Sequence, residues 1–179
     1  MKVSRIVRAA LLAALLSAAG TVVLAQEAPV ENPDQLSMLK DKDPKLARNK
    51  KFVFDFWRIV YEGRHLDEAP KYMDAGYIQH NPNVPSGRDA LVKFMRESRP
   101  VRPIEPKMTF PLIALVAEGD MVVVATVSYA KDPQKPSERY ASTHFDMYRI
   151  EGGKIAEHWD NLPKDPALLH SDPNATNKP

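Results

Sequence analysis

The sequence predicts an α+β fold, in which a cone-shaped, curved antiparallel sheet packs against three N-terminal helices. Apolar residues recur at helical spacing between residues 44 and 98, and strand-like alternation begins only at Met108. A pair of glycines, Gly152 and Gly153, then separates two β-rich segments near the end. Helices and strands that are segregated along the chain are typical of this class. A sheet that wraps over a helix leaves one open end, which favours a small-molecule pocket.

Composition divides the chain into four parts. Residues 1–25 have a basic start, an apolar stretch and small residues before Gln26, which is typical of a secretory signal peptide. An uncleaved anchor is the alternative, but the apolar stretch is short for a membrane span. We expect a periplasmic or secreted protein with a mobile N-terminal segment at 26–43, either a spacer or an arm packed on the surface. The folded domain follows at 44–162, and a disordered tail at 163–179.

The charge of the mature chain excludes one class of partner. The whole chain has 25 basic and 23 acidic residues, and three of the basic ones lie in residues 1–25. The remainder therefore carries a net charge of −1, which gives no support for nucleic-acid binding. After cleavage no membrane partner is expected. The chain has no cysteine, so its stability must come from the core rather than from disulfides.

Capping residues and glycines set the predicted helix limits. The first helix begins after the N-cap Asp43 and ends at Gly63. The second spans 67–74 and ends at Gly76. The third follows Ser86, and its apolar face includes Phe94.

The last two predicted strands carry polar side chains where core residues normally lie. Alternation places His144, Asp146 and Tyr148 on one face of the first, and Ala156, His158 and Asp160 on one face of the second.

The turn decides whether these two faces coincide. A two-residue Gly152-Gly153 loop pairs Ile150 with Ile155 and separates the faces. A three-residue loop with Gly153 as a left-handed bulge pairs Ile150 with Lys154. Asp146 then lies opposite His158, and His144 opposite Asp160, because a one-residue slip exchanges the faces. We predict the three-residue loop.

Two motifs carry a family resemblance. The segments Tyr-Ile-Gln-His-Asn-Pro at 77–82 and Asp146 to Asp160, which ends in Glu-His-Trp-Asp, resemble the SnoaL-like proteins of the nuclear transport factor 2-like superfamily. That superfamily also includes ketosteroid isomerases and scytalone dehydratases. The resemblance covers about residues 45–162, and the two motifs together are similar to the subgroup described as predicted aldol-condensation enzymes. It implies a cone with an interior pocket and commonly a dimer through the sheet. In the polyketide cyclase members an aspartate is the acid/base, with no metal or organic cofactor.

The resemblance and the residues together predict an exported, cofactor-independent lyase or isomerase-type enzyme. It would do aldol- or enolisation-type chemistry on a small carbonyl compound, with a homodimer as the expected assembly. The predicted catalytic residues are Asp160, assisted by His158 and His80, with His144 and Asp146 either joining them or forming a structural pair. Predicted substrate-binding residues are Tyr77, Asn81, Tyr148 and Trp57, for which core packing or, for Asn81, a turn is the alternative.

Two other classes of function remain open at this point. The three histidines His80, His144 and His158 with Asp146 or Asp160 have the ligand types of a two-histidine, one-carboxylate metal centre. No tight spacing such as His-Glu-x-x-His supports it, so no metal is predicted. A non-catalytic binder of a small apolar ligand would use the same cone. Buried, mutually bonded polar groups on an open cavity favour the enzyme, and a filled cone favours the binder or accessory protein.

Overall fold

The computed structural model describes residues 27–164. Within them lie three α-helices and five strands: α1 Pro44–Phe56, α2 Ala69–Tyr72, α3 Arg88–Ser98, β1 Met73–Gln79, β2 Leu112–Glu118, β3 Met121–Lys131, β4 Arg139–Glu151 and β5 Lys154–Asp160. The predicted α+β class is confirmed. The predicted signal peptide and most of the predicted tail lie outside the described residues. No helix of residues 27–164 is long and apolar enough to cross a membrane.

Helix α1 begins and ends where the sequence predicts. The Asp43 carboxylate accepts a hydrogen bond from the Lys45 backbone N–H at 2.7 Å, and Pro44 occupies the first position. The helix continues through a π-helical turn, Trp57–Glu62. A Cβ at Gly63 would lie 2.8 Å from two carbonyl oxygens of that turn, so only glycine fits where the helix ends.

The second predicted helix is wrong in its extent. A short 3₁₀ turn, Leu66–Glu68, leads into α2, which ends at Tyr72. Strand β1 starts at Met73 and pairs with Ile155 of β5, so Gly76 lies inside a strand. Pairing with a buried neighbour strand outweighs the local helical pattern at this point.

The sheet has the order β1-β5-β4-β3-β2. Strands β2 to β5 are antiparallel, but β1 runs parallel to β5, so the sheet is mixed rather than wholly antiparallel. The helices cover its inner face and close the apolar core, to which Val53, Trp57, Leu91, Leu112, Val124 and Ile155 belong. The outer face of the sheet carries no helix among the described elements.

The segment before α1 is attached to the domain. The side-chain amide of Gln35 exchanges two hydrogen bonds, at 3.0 and 2.9 Å, with the backbone of Met108. The Asn32 N–H donates to the Leu112 carbonyl at 2.8 Å, beside edge strand β2. These bonds attach Asn32 and Gln35 to the domain.

Candidate active site

The β4–β5 turn differs from the predicted one. Gly152 and Gly153 both have positive φ, 57° and 75°, and Glu151 pairs with Lys154 across a two-residue loop. The predicted three-residue loop is therefore wrong. Two residues further on the register shifts, because Arg149 pairs with Glu157 while Ile150 pairs with Ile155. Ala156 is left without a partner as a β-bulge.

This bulge brings the polar side chains to one face. Asp146 lies opposite Asp160, and Tyr148 lies opposite His158. The predicted pairs of Asp146 with His158 and of His144 with Asp160 are wrong. All four residues still share the inner face, since the extra residue Ala156 reverses the alternation that the two-residue turn alone would impose.

Asp146 is the buried centre of the site. Its Oδ1 lies 2.9 Å from His158 Nε2, and its Oδ2 lies 3.4 Å from His144 Nε2. Burial opposes its charge, but the two histidines outweigh burial and lower the pKa of Asp146 from 3.8 to about 2. Burial likewise opposes a charge on His144, but Asp146 raises the pKa of His144 above its ordinary value. Asp146 is therefore ionised at neutral pH.

Gln79 fixes the hydrogen bonding of His158. Its Oε1 accepts the Asn81 backbone N–H at 2.9 Å, and its Nε2 donates to the Tyr77 hydroxyl at 3.0 Å. These two bonds orient the amide, so the same Oε1 must accept from His158 Nδ1, 2.8 Å away. The other ring nitrogen, Nε2, lies 2.9 Å from Asp146 Oδ1, so both ring nitrogens of His158 are engaged.

Asp160 is the more accessible carboxylate. It is half-buried at the end of β5 and lines the same cavity as Asp146. Its Oδ2 accepts from the Asn81 side-chain amide at 2.5 Å and its Oδ1 from the Leu162 backbone N–H at 3.0 Å. Asn81 is thus both the residue of a turn and a partner of the predicted acid/base. These bonds hold the carboxylate in place and leave it lone pairs that face the cavity.

The site opens into a cavity with about 500 Å³ of space between its lining atoms, including its mouth. The centre of a water molecule can reach about 50 Å³ of it, so the interior is narrow. Asp146, His158, Asp160, Gln79 and Asn81 form the polar end together with the phenol of Tyr77, and Tyr148, Tyr61 and Arg64 also line the cavity. Phe56, Val84, Leu91, Phe94 and Met95 form the apolar wall. Burial raises the pKa of Tyr77 and of Tyr148 well above the ordinary value, so both phenols stay protonated.

Three predicted site residues do not line this cavity. His144 is buried beside Asp146 and is not part of the cavity wall. His80 lies on the other side of β5, where its Nε2 is 3.0 Å from Glu157 Oε2 and its ring stacks on Trp159 at 4.6 Å. Trp57 is fully buried in the core against Tyr61 and Phe110. The alternative of core packing therefore describes Trp57.

Sequence reasoning missed Gln79 and Arg64. The period of a strand gives Tyr77, Gln79 and Asn81 one face and Ile78 and His80 the other, so the choice of Tyr77 for the pocket already implied Gln79 and excluded His80. Arg64, buried and with a φ of 59°, lies in the loop after α1, where periodicity offers no signal.

Three helices and a five-strand mixed sheet thus surround an interior pocket that is polar at one part of its lining and apolar at the rest. The model of the SnoaL-like domain matches residues 53–158. The chain therefore belongs to the SnoaL-like family, as the motifs predict. No curated protein matches the chain.

Solved structures of this fold are distant in sequence. A candidate polyketide cyclase from Acidithiobacillus ferrooxidans is 20% identical, with 69% of this chain and 92% of that chain covered and a TM-score of 0.45. A candidate SnoaL-like polyketide cyclase from Jannaschia sp. CCS1 is 18% identical, with 68% and 91% covered and a TM-score of 0.46. An LEH-like epoxide hydrolase of M. tuberculosis is 12% identical, with 65% and 84% covered and a TM-score of 0.46. At these identities the likeness concerns the fold alone.

Proposed function

We propose that this protein is an enzyme that moves a proton on a small carbonyl compound, in an enolisation or aldol-type reaction without an organic cofactor. One observation carries the proposal. A half-buried carboxylate, Asp160, and a buried ion pair, His158–Asp146, meet at the polar end of one narrow, largely apolar cavity. Such a cavity excludes most water, which strengthens the electrostatic interactions inside it.

Asp160 is the proposed base. It removes a proton from the carbon next to the carbonyl group, and the electron pair of the broken C–H bond moves into the carbonyl to form an enolate. The Tyr77 hydroxyl already accepts the Gln79 N–H, so its own proton is available for the enolate oxygen. Protonated Asp160 then returns the proton to the enolate carbon. In an aldol reaction that carbon instead bonds to a second carbonyl carbon, the π electron pair of this carbonyl moves to its oxygen, and Asp160 protonates that oxygen.

His158 acts as a fixed wall of the site rather than as a proton shuttle. Both its ring nitrogens are engaged by Gln79 and Asp146, so neither is free to take a proton from a substrate. These two bonds fix the ring at the polar end of the cavity, where Asp160 also lies. Asp146, with His144 behind it, holds His158 in that orientation.

Proton exchange at carbon tests the proposal without knowledge of the pathway. The full-length chain is incubated in D₂O with ethyl acetoacetate and with cyclohexanone, and loss of the α-proton signal is followed by NMR. We expect exchange above the buffer rate that falls about 100-fold or more in Asp160→Asn. His80→Asn, a variant on the other side of β5, should retain it.

Two results contradict the proposal. One is exchange that is equal in wild type and Asp160→Asn, when thermal melting shows that both are folded. The other is stabilisation of the protein by either compound without any exchange. The second result favours the alternative, a non-catalytic binder of small ligands, because a ligand that binds only the folded state raises the melting temperature by mass action.

We also propose that the chain is exported and that residues 1–25 are removed. The support is the basic start, apolar stretch and small residues before Gln26. Intact mass measurement of the protein recovered from the periplasm of an expressing bacterium should give a chain that begins at Gln26. Recovery of the uncut chain in the membrane fraction would contradict this.

We propose a homodimer through the outer face of the sheet, because this face exposes apolar side chains. Ile78, Val116 and Phe145 are 45%, 55% and 47% exposed there. Sedimentation should show a dimer that Phe145→Glu converts to a monomer. Tyr140→Glu, at a residue equally exposed but away from this face, should leave the dimer intact; a dimer in both variants contradicts the proposal.

A further inference from the structure

We propose that His144, Asp146 and Asp160 form a binding site for one divalent transition-metal cation of the Zn²⁺ or Mn²⁺ type. This inference goes beyond the proposed function, because it concerns an ion and not the carbonyl substrate. It shares Asp160 with that function, so an ion bound there would compete with the action of Asp160 as a base. It also differs from the metal centre considered from the sequence. His80 lies on the other face of the sheet, and both nitrogens of His158 are engaged.

The three side chains already place their donor atoms together. One nitrogen or oxygen atom from each lies within 4.8 Å of the other two. Two ligands about 2.1 Å from one ion can be at most about 4.2 Å apart, so a small rotation of a carboxylate completes the set. His144 Nε2 and Asp146 Oδ2, at 3.4 Å, already have the separation of neighbouring ligands. One imidazole and two carboxylates suit first-row divalent ions.

A second observation points to a ligand at this place. His144 and Asp146 are 3% and 2% exposed, and His144 Nε2 and Asp146 Oδ2 form an ion pair at 3.4 Å, but among the described residues neither atom has a partner with hydrogen-bond geometry. Buried polar atoms are rarely left unpaired, because the loss of hydration costs free energy. These two atoms face each other in the cluster, and a cation between them and Asp160 would satisfy both.

The surrounding hydrogen bonds are those of an outer ligand shell. Asp146 uses its other oxygen, Oδ1, for His158, and Asp160 accepts from the Asn81 side chain and the Leu162 backbone. Such bonds orient carboxylate ligands and are typical of metal sites. The cavity beside Asp160 leaves room for water or a small molecule to complete the coordination.

A simple ion pair between His144 and Asp146 is the competing explanation. It accounts for the short distance between these two side chains, but it gives Asp160 no role in binding an ion. The two explanations therefore differ in what Asp160→Asn does to metal binding.

Calorimetric titration of the chelator-treated, full-length chain with ZnCl₂, and electron paramagnetic resonance with MnCl₂, test the site. The chain has five histidines and no cysteine, so imidazole and carboxylate groups are the ligands to separate. We expect one ion per chain, and affinity about tenfold or more weaker in His144→Asn and in Asp160→Asn. His80→Asn, which removes the surface histidine beside Glu157, is the control and should bind as wild type does.

The proposal is overturned by the absence of saturable binding to the folded wild type. It is equally overturned by binding that Asp160→Asn leaves unchanged, or by binding that His80→Asn abolishes. If buried His144→Asn fails to fold by circular dichroism, half-buried Asp160→Asn decides alone. The titrations contain no carbonyl compound, so failure of this site and failure of the proposed enzymatic function give different results.

Discussion

Strand β5 contributes one member of a histidine–carboxylate pair on each of its faces. On the inner face His158 Nε2 lies 2.9 Å from Asp146, and on the outer face His80 Nε2 lies 3.0 Å from Glu157. The side chains of the inner pair are 8% and 3% exposed, and those of the outer pair 39% and 18%. The two distances are nearly equal, but the electrostatic interactions differ in strength, because water and salt screen the outer pair much more than the inner one.

The partners of each pair extend the contrast. On the inner face Gln79 accepts from the second nitrogen of His158, and this bond helps to fix the orientation of the ring. On the outer face Glu157 is shared with Arg149, and His80 rests on the Trp159 ring. Bonding to His80 and Arg149 lowers the pKa of Glu157, but solvent can replace either partner. The inner pair is thus shielded from solvent inside the cavity. The outer pair is a partly exposed contact at the surface.

Truncation of the carboxylate in each pair should give the largest difference between the pairs in the free energy of unfolding. Asp146→Ala leaves buried histidines without their counter-ion and should lower the free energy of unfolding by about 3–5 kcal/mol. Glu157→Ala should cost far less than Asp146→Ala, because surface pairs contribute little. Urea unfolding at neutral pH, with a chelator present, measures both. Equal losses in the two variants would show that burial does not separate the pairs.

Acid should remove the contribution of Asp146 to the free energy of unfolding. The folded-state pKa of Asp146 is about 2 and its ordinary value is 3.8. Its contribution to stability is therefore complete above about pH 4 and is lost as the pH falls toward about 2, because the unfolded chain binds the proton first. The expected loss is about 2 kcal/mol. Urea unfolding in the presence of a chelator across this pH range should show this loss of free energy in wild type and not in Asp146→Ala. The same pH dependence of the free energy of unfolding in both proteins would contradict the prediction.

Removal of the second partner of His158 should have a smaller effect. Gln79→Leu deprives the His158 Nδ1–H and the Asn81 N–H of their acceptor, and we expect a loss of about 1–2 kcal/mol, since water that enters the cavity can replace part of it. Nitrogen-15 NMR of the ring should report a changed protonation of His158. Ser86→Ala, which removes a hydroxyl bonded only to the Gln79 backbone, is the matched control. An unaltered His158 spectrum in Gln79→Leu would refute the role of Gln79.

The architecture followed from local patterns. The N-cap Asp43, the glycine at the end of the first helix and the alternation in β4 and β5 each reflect a short-range constraint, and the structure contains all three. The parallel pairing of β1 with β5 joins residues about eighty positions apart. No local pattern encodes it, and for that reason the end of the second helix at Tyr72 and the strand at Gly76 were not predicted.

The site was predicted in part. His144, Asp146, His158 and Asp160 do share the inner face, but through a bulge and not through the predicted turn. A bulge at Ala156 depends on how β5 fits both of its neighbours, whereas the glycines constrain only the turn itself. The side of β5 on which His80 lies was available from strand parity. The tautomer of His158 depends on Gln79 and Asn81 together and required coordinates.

Ala156 has a consequence for how this hairpin tolerates insertions and deletions. It is the one residue of β5 without a partner on β4, so its deletion would leave every other pair of the hairpin as it is, with His158 and Asp160 still facing the cone. Regular pairing of Ala156 with Arg149 would instead move each later residue of β5 by one position, turn His158 and Asp160 outward and bring Glu157 and Trp159 into the cone. The exclusion of one residue from the pairing, rather than the chemistry of its side chain, decides which side of the sheet is the interior.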